Sequence, residues 1–293
     1  MLREAAETLE RSGSETPRLD AELLLGHVVN ASRTTLLAAP EAIVSDPQAE
    51  RLRALVGRRA RGEPVAYIRG IKEFYGIALT VDPRALIPRP ETELLIELGL
   101  ARIQQRLVDE PRPVGGEPLL IWDVGTGSGA ICVVLAVECR RRGYDTDIRF
   151  RATDLSAEAL ALAVENAVGH GVADQIDFAT ADLTRGDGLT PADLIVANLP
   201  YVPTVVVPTL PVAASYEPIV ALDGGADGLA VIERLLAELP DALGPRGEAL
   251  LEIGADQGPS IQAAVERTLL GWTVAVHEDL AGRPRVAIIG RPA

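Results

Sequence analysis

The amino-acid sequence predicts an α/β protein: a mostly parallel sheet covered by helices, preceded by a small helical domain and a β-hairpin connector. Three observations predict it. From residue 119 onward, short apolar runs alternate with segments of helical spacing. Before residue 62 no strand-like alternation occurs. Between them, residues 63–90 alternate briefly, turn at Gly76 and are punctuated by Pro83, Pro88 and Pro90.

Each element has its own signal. Residues 1–62 read as a helical domain. "DAELLLGHVV" carries apolar residues at helical spacing, and in "SDPQAERLRALVGRRARG" Asp46 is the expected N-cap, Pro47 the first helical residue and Gly62 the stop. The Arg58, Arg59, Arg61 cluster reads as a solvated face, with a partner-docking patch as the lesser reading. Residues 63–90 form the hairpin and a rigid connector, and 91–293 the sheet domain. That domain opens with a helix over "ETELLIELGLARIQQRL" and a loop at 109–118. "LLIWDV" is a strand followed by a helix over 128–142, and "DIRFRATD" a strand followed by a helix over 156–169. "QIDFAT" is a short strand and "ADLIVAN" a buried one. Helices are expected near 227–240 and 256–269, and "GEALLEIG", "WTVAVHE" and "PRVAIIG" close the series. No helix separates the last two strands, so one of them runs antiparallel.

Composition narrows the function classes. Hydrophobic residues make up 47% of the 293, enough for a sizeable core. A net charge of -14 argues against a surface built to wrap nucleic acid, which draws on clustered Lys and Arg. Cys132 and Cys139 share a helix face and read as core fillers rather than a disulfide. His27, His170 and His277 stand far apart, and no Cys/His cluster has metal-ligand spacing, so no metal is expected. "MLREAAETLERSG" lacks an apolar core and is not read as a signal peptide, and no apolar run reaches membrane-spanning length. The expectation is a cytoplasmic monomer without nucleic-acid or membrane partners.

"DVGTGSGAI" joins a strand to a helix. Gly125, Gly127 and Gly129 let the backbone turn tightly and approach a ligand, while the helix N-terminus offers free N–H groups. Asp154 ends the next strand, where an acid can hold both ribose hydroxyls. Asp182 ends the third, where a carboxylate can accept from an adenine amino group. A dinucleotide fingerprint would read G-x-G-x-x-G; here it is G-x-G-x-G with Asp123 two residues before the first glycine. This resembles the S-adenosyl-L-methionine loop of class I methyltransferases, which implies a Rossmann-like sheet.

The fourth strand stops at Asn198-Leu199-Pro200-Tyr201. The tetrad resembles the Asn-Pro-Pro-Tyr signature of methyltransferases that modify a planar nitrogen. Such a nitrogen is a poor nucleophile because its lone pair is delocalised. Two acceptors, the Asn198 side-chain oxygen and the carbonyl of residue 199, can hold its N–H groups and orient it as it becomes tetrahedral, while Tyr201 stacks on the planar group. Leu199 replaces the usual first proline, and the Asn-Leu-Pro-Tyr form also resembles that of ribosomal RNA adenine dimethyltransferases. The tetrad alone does not separate glutamine from adenine.

The flanking segments do. "PRLDAELLLGHVV", "RRARGEPVAYIRGIKEFYG", "LIPRPETELLIE", "YEPIVALDGGADGL" and "LLEIGADQG" together resemble the release factor glutamine methyltransferase family, called PrmC or HemK. The resemblance implies transfer of a methyl group from S-adenosyl-L-methionine to the side-chain nitrogen (N5) of the glutamine in the Gly-Gly-Gln motif of peptide chain release factors 1 and 2. It implies that Gly125, Thr126, Gly127, Ser128, Gly129, Asp154 and Leu183 contact cofactor, with Asp123 and Asp182 beside them. Asn198 would face cofactor and substrate, and Asn198, Leu199, Pro200 and Tyr201 would hold the glutamine, with Asn198, Pro200 and Tyr201 as the catalytic set. The N-terminal helices would dock the release factor. The alternatives are a glutamine methyltransferase of ribosomal protein L3 and a nucleic-acid N6-adenine methyltransferase.

Overall fold

The computed structural model describes residues 1–38, 41, 43–109, 116–186 and 190–292. They form two compact units. One comprises Met1–Ile71, Val81–Pro83 and Leu210–Glu217; the other comprises Lys72–Thr80, Arg84–Thr209 and the chain from Pro218 onward.

The first unit holds α1 (Leu2–Arg11), α2 (Pro17–Val29), α3 (Arg33–Ala38), α4 (Asp46–Ala60) and α5 (Val65–Arg69). Leu9, Leu24, Leu52 and Ile68 meet in its core. The N-cap of α4 is Ser45, not Asp46. Gln48 Oε1 accepts from the Ser45 N–H at 3.0 Å and from its hydroxyl at 2.9 Å, and this reciprocal box sets the helix start one residue early. Asp46 thus occupies the first turn, where its charge favours the helix N-terminus.

The arginine cluster is also corrected. Arg59 Nε donates to Asp20 at 2.7 Å, and the same buried carboxylate accepts from Ser14 at 2.7 Å and Thr16 at 3.0 Å. Arg58 pairs with Glu63 through both nitrogens of its fork. Only Arg61 of the three is exposed; its carbonyl accepts from the Tyr216 hydroxyl at 3.3 Å. The Arg59 guanidinium turns inward because it finds a buried carboxylate that would otherwise be left unpaired, whereas the Arg58 side chain stays 40% exposed beside Glu63.

The hairpin of β1 (Ile71–Phe74) and β2 (Ile77–Thr80) turns on Tyr75 and Gly76 at φ 46° and 74°, the paired positive angles of a type I′ turn. A single 3-10 turn, Pro90–Thr92, then leads into α6 (Glu93–Asp109). Residues 110–115 of the expected loop lie outside the described residues.

The main sheet contains β3 (Leu119–Val124), β4 (Ile148–Asp154), β5 (Ile176–Thr180), β6 (Ala192–Ala197), β7 (Leu243–Glu252), β8 (Thr273–Glu278) and β9 (Pro284–Gly290), in the order β5-β4-β3-β6-β7-β9-β8. β3 to β7 are parallel, and β9 is antiparallel to both β7 and β8. α6, α7 (Ala130–Arg141) and α8 (Ala157–Gly169) belong with one face; α9 (Ala230–Ala242) and α10 (Gly258–Thr268) belong with the other. Strand alternation sorts the residues: Leu194 and Val196 of β6 join the first core, Ile195 and Ala197 the second. Asp123 has the parity of Leu119 and Ile121, which puts it under α7. Cys132 and Cys139 are both buried in α7 and free, and burial pushes the Cys139 thiol up to about 12. One end-point moves: β5 stops at Thr180, so Asp182 lies two residues beyond the strand.

The strand order reverses between β3 and β6, where the crossovers leave in opposite directions. In an open sheet the crevice at such a point lies beyond the carboxyl ends of the strands.

Candidate active site

The glycine loop starts where β3 ends. The Gly125 and Thr126 N–H groups donate to the Thr153 carbonyl at 2.8 and 2.9 Å, which bends the chain over β4. Gly127, at φ 55°, donates its N–H to Asp154 Oδ2 at 2.8 Å. Among the described residues a Cβ at Gly127 would meet only Ala85 Cβ, at 3.9 Å, so the loop tip is open to them. Asp154 Oδ1 accepts from the Ser156 N–H at 2.8 Å, and Ser156 caps α8. Burial pushes the Asp154 carboxyl up, while those N–H groups hold it down.

Asp123 lies beneath the loop, fully buried. Its Oδ2 accepts from the Thr126 hydroxyl at 2.7 Å and the Cys132 N–H at 3.2 Å, whereas Oδ1 has no hydrogen-bond partner among the described residues. Desolvation pushes its pKa up to about 6, against those two bonds. Ser128 is buried, and its carbonyl accepts from Asn166 Nδ2 at 2.9 Å. Leu183 is buried at φ 58°, and its carbonyl accepts from the Thr153 hydroxyl at 3.3 Å. Asp182 is partly exposed, with Oδ2 2.5 Å from Arg234 Nη2.

The tetrad leaves the end of β6, next to β3 in the sheet. Asn198 Nδ2 donates to Thr92 Oγ1 at 3.0 Å, and Oδ1 takes no hydrogen bond from the described residues. Leu199 is buried, and its Cδ2 would lie 2.8 Å from a Cβ placed on Gly125. Tyr201 donates its hydroxyl to Glu252 Oε1 at 3.2 Å, and burial raises the phenol further above its usual range. Beyond the tetrad the chain is clamped. Val202 N–H donates to Leu222 at 3.0 Å, and Gln257 Nε2 donates to the Tyr201 carbonyl at 3.0 Å. The structure therefore brings Gly125 and Leu199 into contact and places Asp123, Asp154 and Asn198 at the ends of three adjacent strands.

Three residues beside the tetrad carry no signal of their own: Thr92, Glu252 and Gln257. Each sits in a segment already singled out, "IPRPETE", "LLEIG" and "ADQG". Segment membership was their only sequence mark.

Solved structures share this architecture. The hMettl16 catalytic domain, solved with the MAT2A 3'UTR hairpin 1, superposes with a TM-score of 0.56 at 14% identity, covering 84% of this chain and 81% of that one. A methyltransferase from Pyrococcus furiosus gives 0.50 at 20% identity, over 80% and 97%. The fold is the Rossmann-like sheet of the methyltransferases, carrying a glycine loop and a strand-end tetrad at the switch point. The PrmC N-terminal domain matches residues 1–70. The release factor glutamine methyltransferase of Moorella thermoacetica is 39% identical over 289 residues, 97% of this chain and 95% of the relative. That of Deinococcus radiodurans is 39% identical over 286 residues, again 97% and 95%. The chain belongs to the release factor glutamine methyltransferase family.

Proposed function

We propose that this chain methylates the side-chain amide nitrogen of the Gly-Gly-Gln glutamine in peptide chain release factors, using S-adenosyl-L-methionine. The observation that carries this reading is the orientation of Asn198. With Nδ2 engaged by Thr92, the amide keeps Oδ1 free as an acceptor at the end of β6. An amide N–H donating to Oδ1, with its second N–H on the carbonyl of residue 199, holds the substrate nitrogen in place as its lone pair leaves conjugation. Tyr201 offers its ring to the planar amide while its hydroxyl is tied to Glu252.

The loop residues fit the cofactor. A carboxylate has about four acceptor sites, and Asp154 uses two on backbone N–H groups, which leaves two for vicinal ribose hydroxyls. The open tip at Gly127 admits a ligand against the backbone, and the buried Leu183 supplies an apolar wall for a base. The unpartnered Asp123 Oδ1 beneath the loop suits a cationic or N–H-bearing group. When bound, S-adenosyl-L-methionine supplies an electrophilic methyl on a positively charged sulfur. Gly125, Thr126, Ser128 and Gly129 shape the loop, and Asp182 lies beside Leu183 for the base edge.

In this reading the partner is protein, in keeping with the net charge of -14. The chain works as a monomer in the cytoplasm, where release factors act, and its N-terminal helices dock the factor. No helix of the described residues is long and apolar enough to cross a membrane. The test is competition for labelled S-adenosyl-L-methionine among a class 1 release factor, ribosomal protein L3 and an adenine-bearing RNA. Label should appear on the release factor. Label on the protein L3 or RNA sample alone would replace the proposal with that substrate.

A further inference from the structure

Tyr201 is held at both ends. Its hydroxyl donates to Glu252 Oε1 at 3.2 Å, and its carbonyl accepts from Gln257 Nε2 at 3.0 Å. Gln257 is 7% exposed and immediately precedes α10. Its Nε2 also donates to the Gly228 carbonyl at 3.3 Å, and its Oε1 accepts from the Gly254 N–H at 2.8 Å. A backbone N–H only donates and a backbone carbonyl only accepts, so these three partners fix which end of the amide is nitrogen.

The back of the tetrad is covered by a glycine strap. The Gly224 N–H donates to the Val202 carbonyl at 2.8 Å, and the Gly225 carbonyl accepts from the Thr204 N–H at 2.9 Å. A Cβ on Gly224 would lie 2.7 Å from the Pro200 carbonyl oxygen and 2.8 Å from Tyr201 Cα. A Cβ on Gly228 would run into the Tyr201 carbonyl oxygen. Main chain therefore packs on main chain, and Gln257 ties the two together by donating to one carbonyl on each.

We infer that Gln257 is a positioning residue for methyl transfer, acting through the Tyr201 carbonyl. Held by its hydroxyl alone, the Tyr201 ring could pivot with its backbone; the bond from Gln257 fixes the peptide plane from which the ring projects. Pro200 has a fixed φ, so fixing the chain after it also restricts where the carbonyl of residue 199 points. The substrate nitrogen leaves planarity only during transfer. A misaligned acceptor therefore costs the transfer step more than it costs binding. These three bonds go to Tyr201, Gly228 and Gly254 and not to the glycine loop, so cofactor affinity does not depend on them. The role rests on the glutamine methyltransferase reading above.

The test uses two variants of the full-length protein. Gln257→Met keeps the length of the side chain and removes its donor. Gly228→Ala leaves Gln257 in place and presses a methyl on the same carbonyl. In both, single-turnover methylation at saturating S-adenosyl-L-methionine and release factor should slow by roughly 10-fold or more. Cofactor affinity and binding stoichiometry should stay within about two-fold, and KM for the release factor within a few fold. Hydrogen exchange gives a reading without substrate. The Val202 and Gly224 amides, which donate to Leu222 and Val202, should exchange faster in Gln257→Met, and those of β3 and β4 should not. Wild-type transfer at saturation, or unchanged exchange, overturns the inference. So does a loss of rate matched by an equal loss of cofactor-binding sites, which reports unfolded protein. If Gln257→Met does not fold, Gly228→Ala decides by the same readings. If the wild type labels protein L3 or RNA instead, the same slowing on that substrate sustains the positioning role, and only the release-factor assignment falls.

Discussion

Leu199 is seated on Gly125: a Cβ at that glycine would lie 2.8 Å from Leu199 Cδ2. The second residue of the tetrad thus packs on the first glycine of the loop, and the proposed cofactor loop and the tetrad share one contact. Leu199→Ala should cost about 2–5 kcal/mol, the range for emptying a buried leucine site. It should also weaken S-adenosyl-L-methionine binding by a few fold, because the loop loses its support. Thermal unfolding and calorimetry read the two effects; an unchanged melting temperature would mean that this contact contributes nothing.

Asp154 links the loop tip to the start of α8 through two N–H groups. Asp154→Ala removes that link together with the proposed ribose acceptor. Affinity for S-adenosyl-L-methionine should fall by about 1.5–3 kcal/mol, the usual worth of a charge-assisted hydrogen bond. Titration calorimetry giving wild-type affinity would place the ribose elsewhere.

Asp123 sets a pH dependence of stability. Its pKa is pushed from 3.8 up to about 6 in the folded state, chiefly by desolvation. The folded state then binds this proton more tightly than the unfolded chain does. The stabilisation is full below the unfolded value and is lost as pH rises through about 6. Removing the charge with Asp123→Asn should therefore raise the unfolding free energy at pH 8 relative to the wild type, by up to about 3 kcal/mol, with a matching rise in melting temperature, and should do so less at pH 4. A difference that does not grow with pH would show that Asp123 is not charged at a cost in the native protein.

The helical unit can be probed on its own. Asp20→Ala strips Arg59, Ser14 and Thr16 of a shared buried acceptor. Amides of α1, α2 and α4 should exchange faster by about 2–4 kcal/mol of opening free energy. Amides of β3, β4 and β6 should keep their protection. Uniform loss of protection across the chain would contradict a local role for this ion pair.

Local patterns made most of the sheet domain legible. β3, β6 and β9 are apolar runs bounded by turns, β4 alternates apolar and polar residues, and the glycine loop and tetrad fall at strand ends where a motif reading places them. Long-range pairing was not legible. Nothing around Arg59 announces Asp20, a partner 39 residues away, so its cluster reads as solvated. Leu210–Glu217 belongs to the first unit although it lies far along the chain, and no periodicity marks that. Thr92 and Glu252 flank the tetrad only through the fold: Glu252 ends the neighbouring parallel strand β7, and Thr92 lies in the 3-10 turn before α6. The Ser45 cap differs from the Asp46 expectation because both residues cap well, and Gln48 decides between them.

The central claim is that Asn198 holds the glutamine amide nitrogen during methyl transfer. Its most direct test is single-turnover methylation of a release factor by wild type and by Asn198→Ala, with the modified residue mapped by mass spectrometry. The wild type should place one methyl on the Gly-Gly-Gln glutamine. Asn198→Ala should bind S-adenosyl-L-methionine within a few fold of wild type and transfer roughly 100-fold more slowly or worse, as expected when one preorganised polar group is removed. Transfer at the wild-type rate, or a methyl mapped to another residue, would contradict the account.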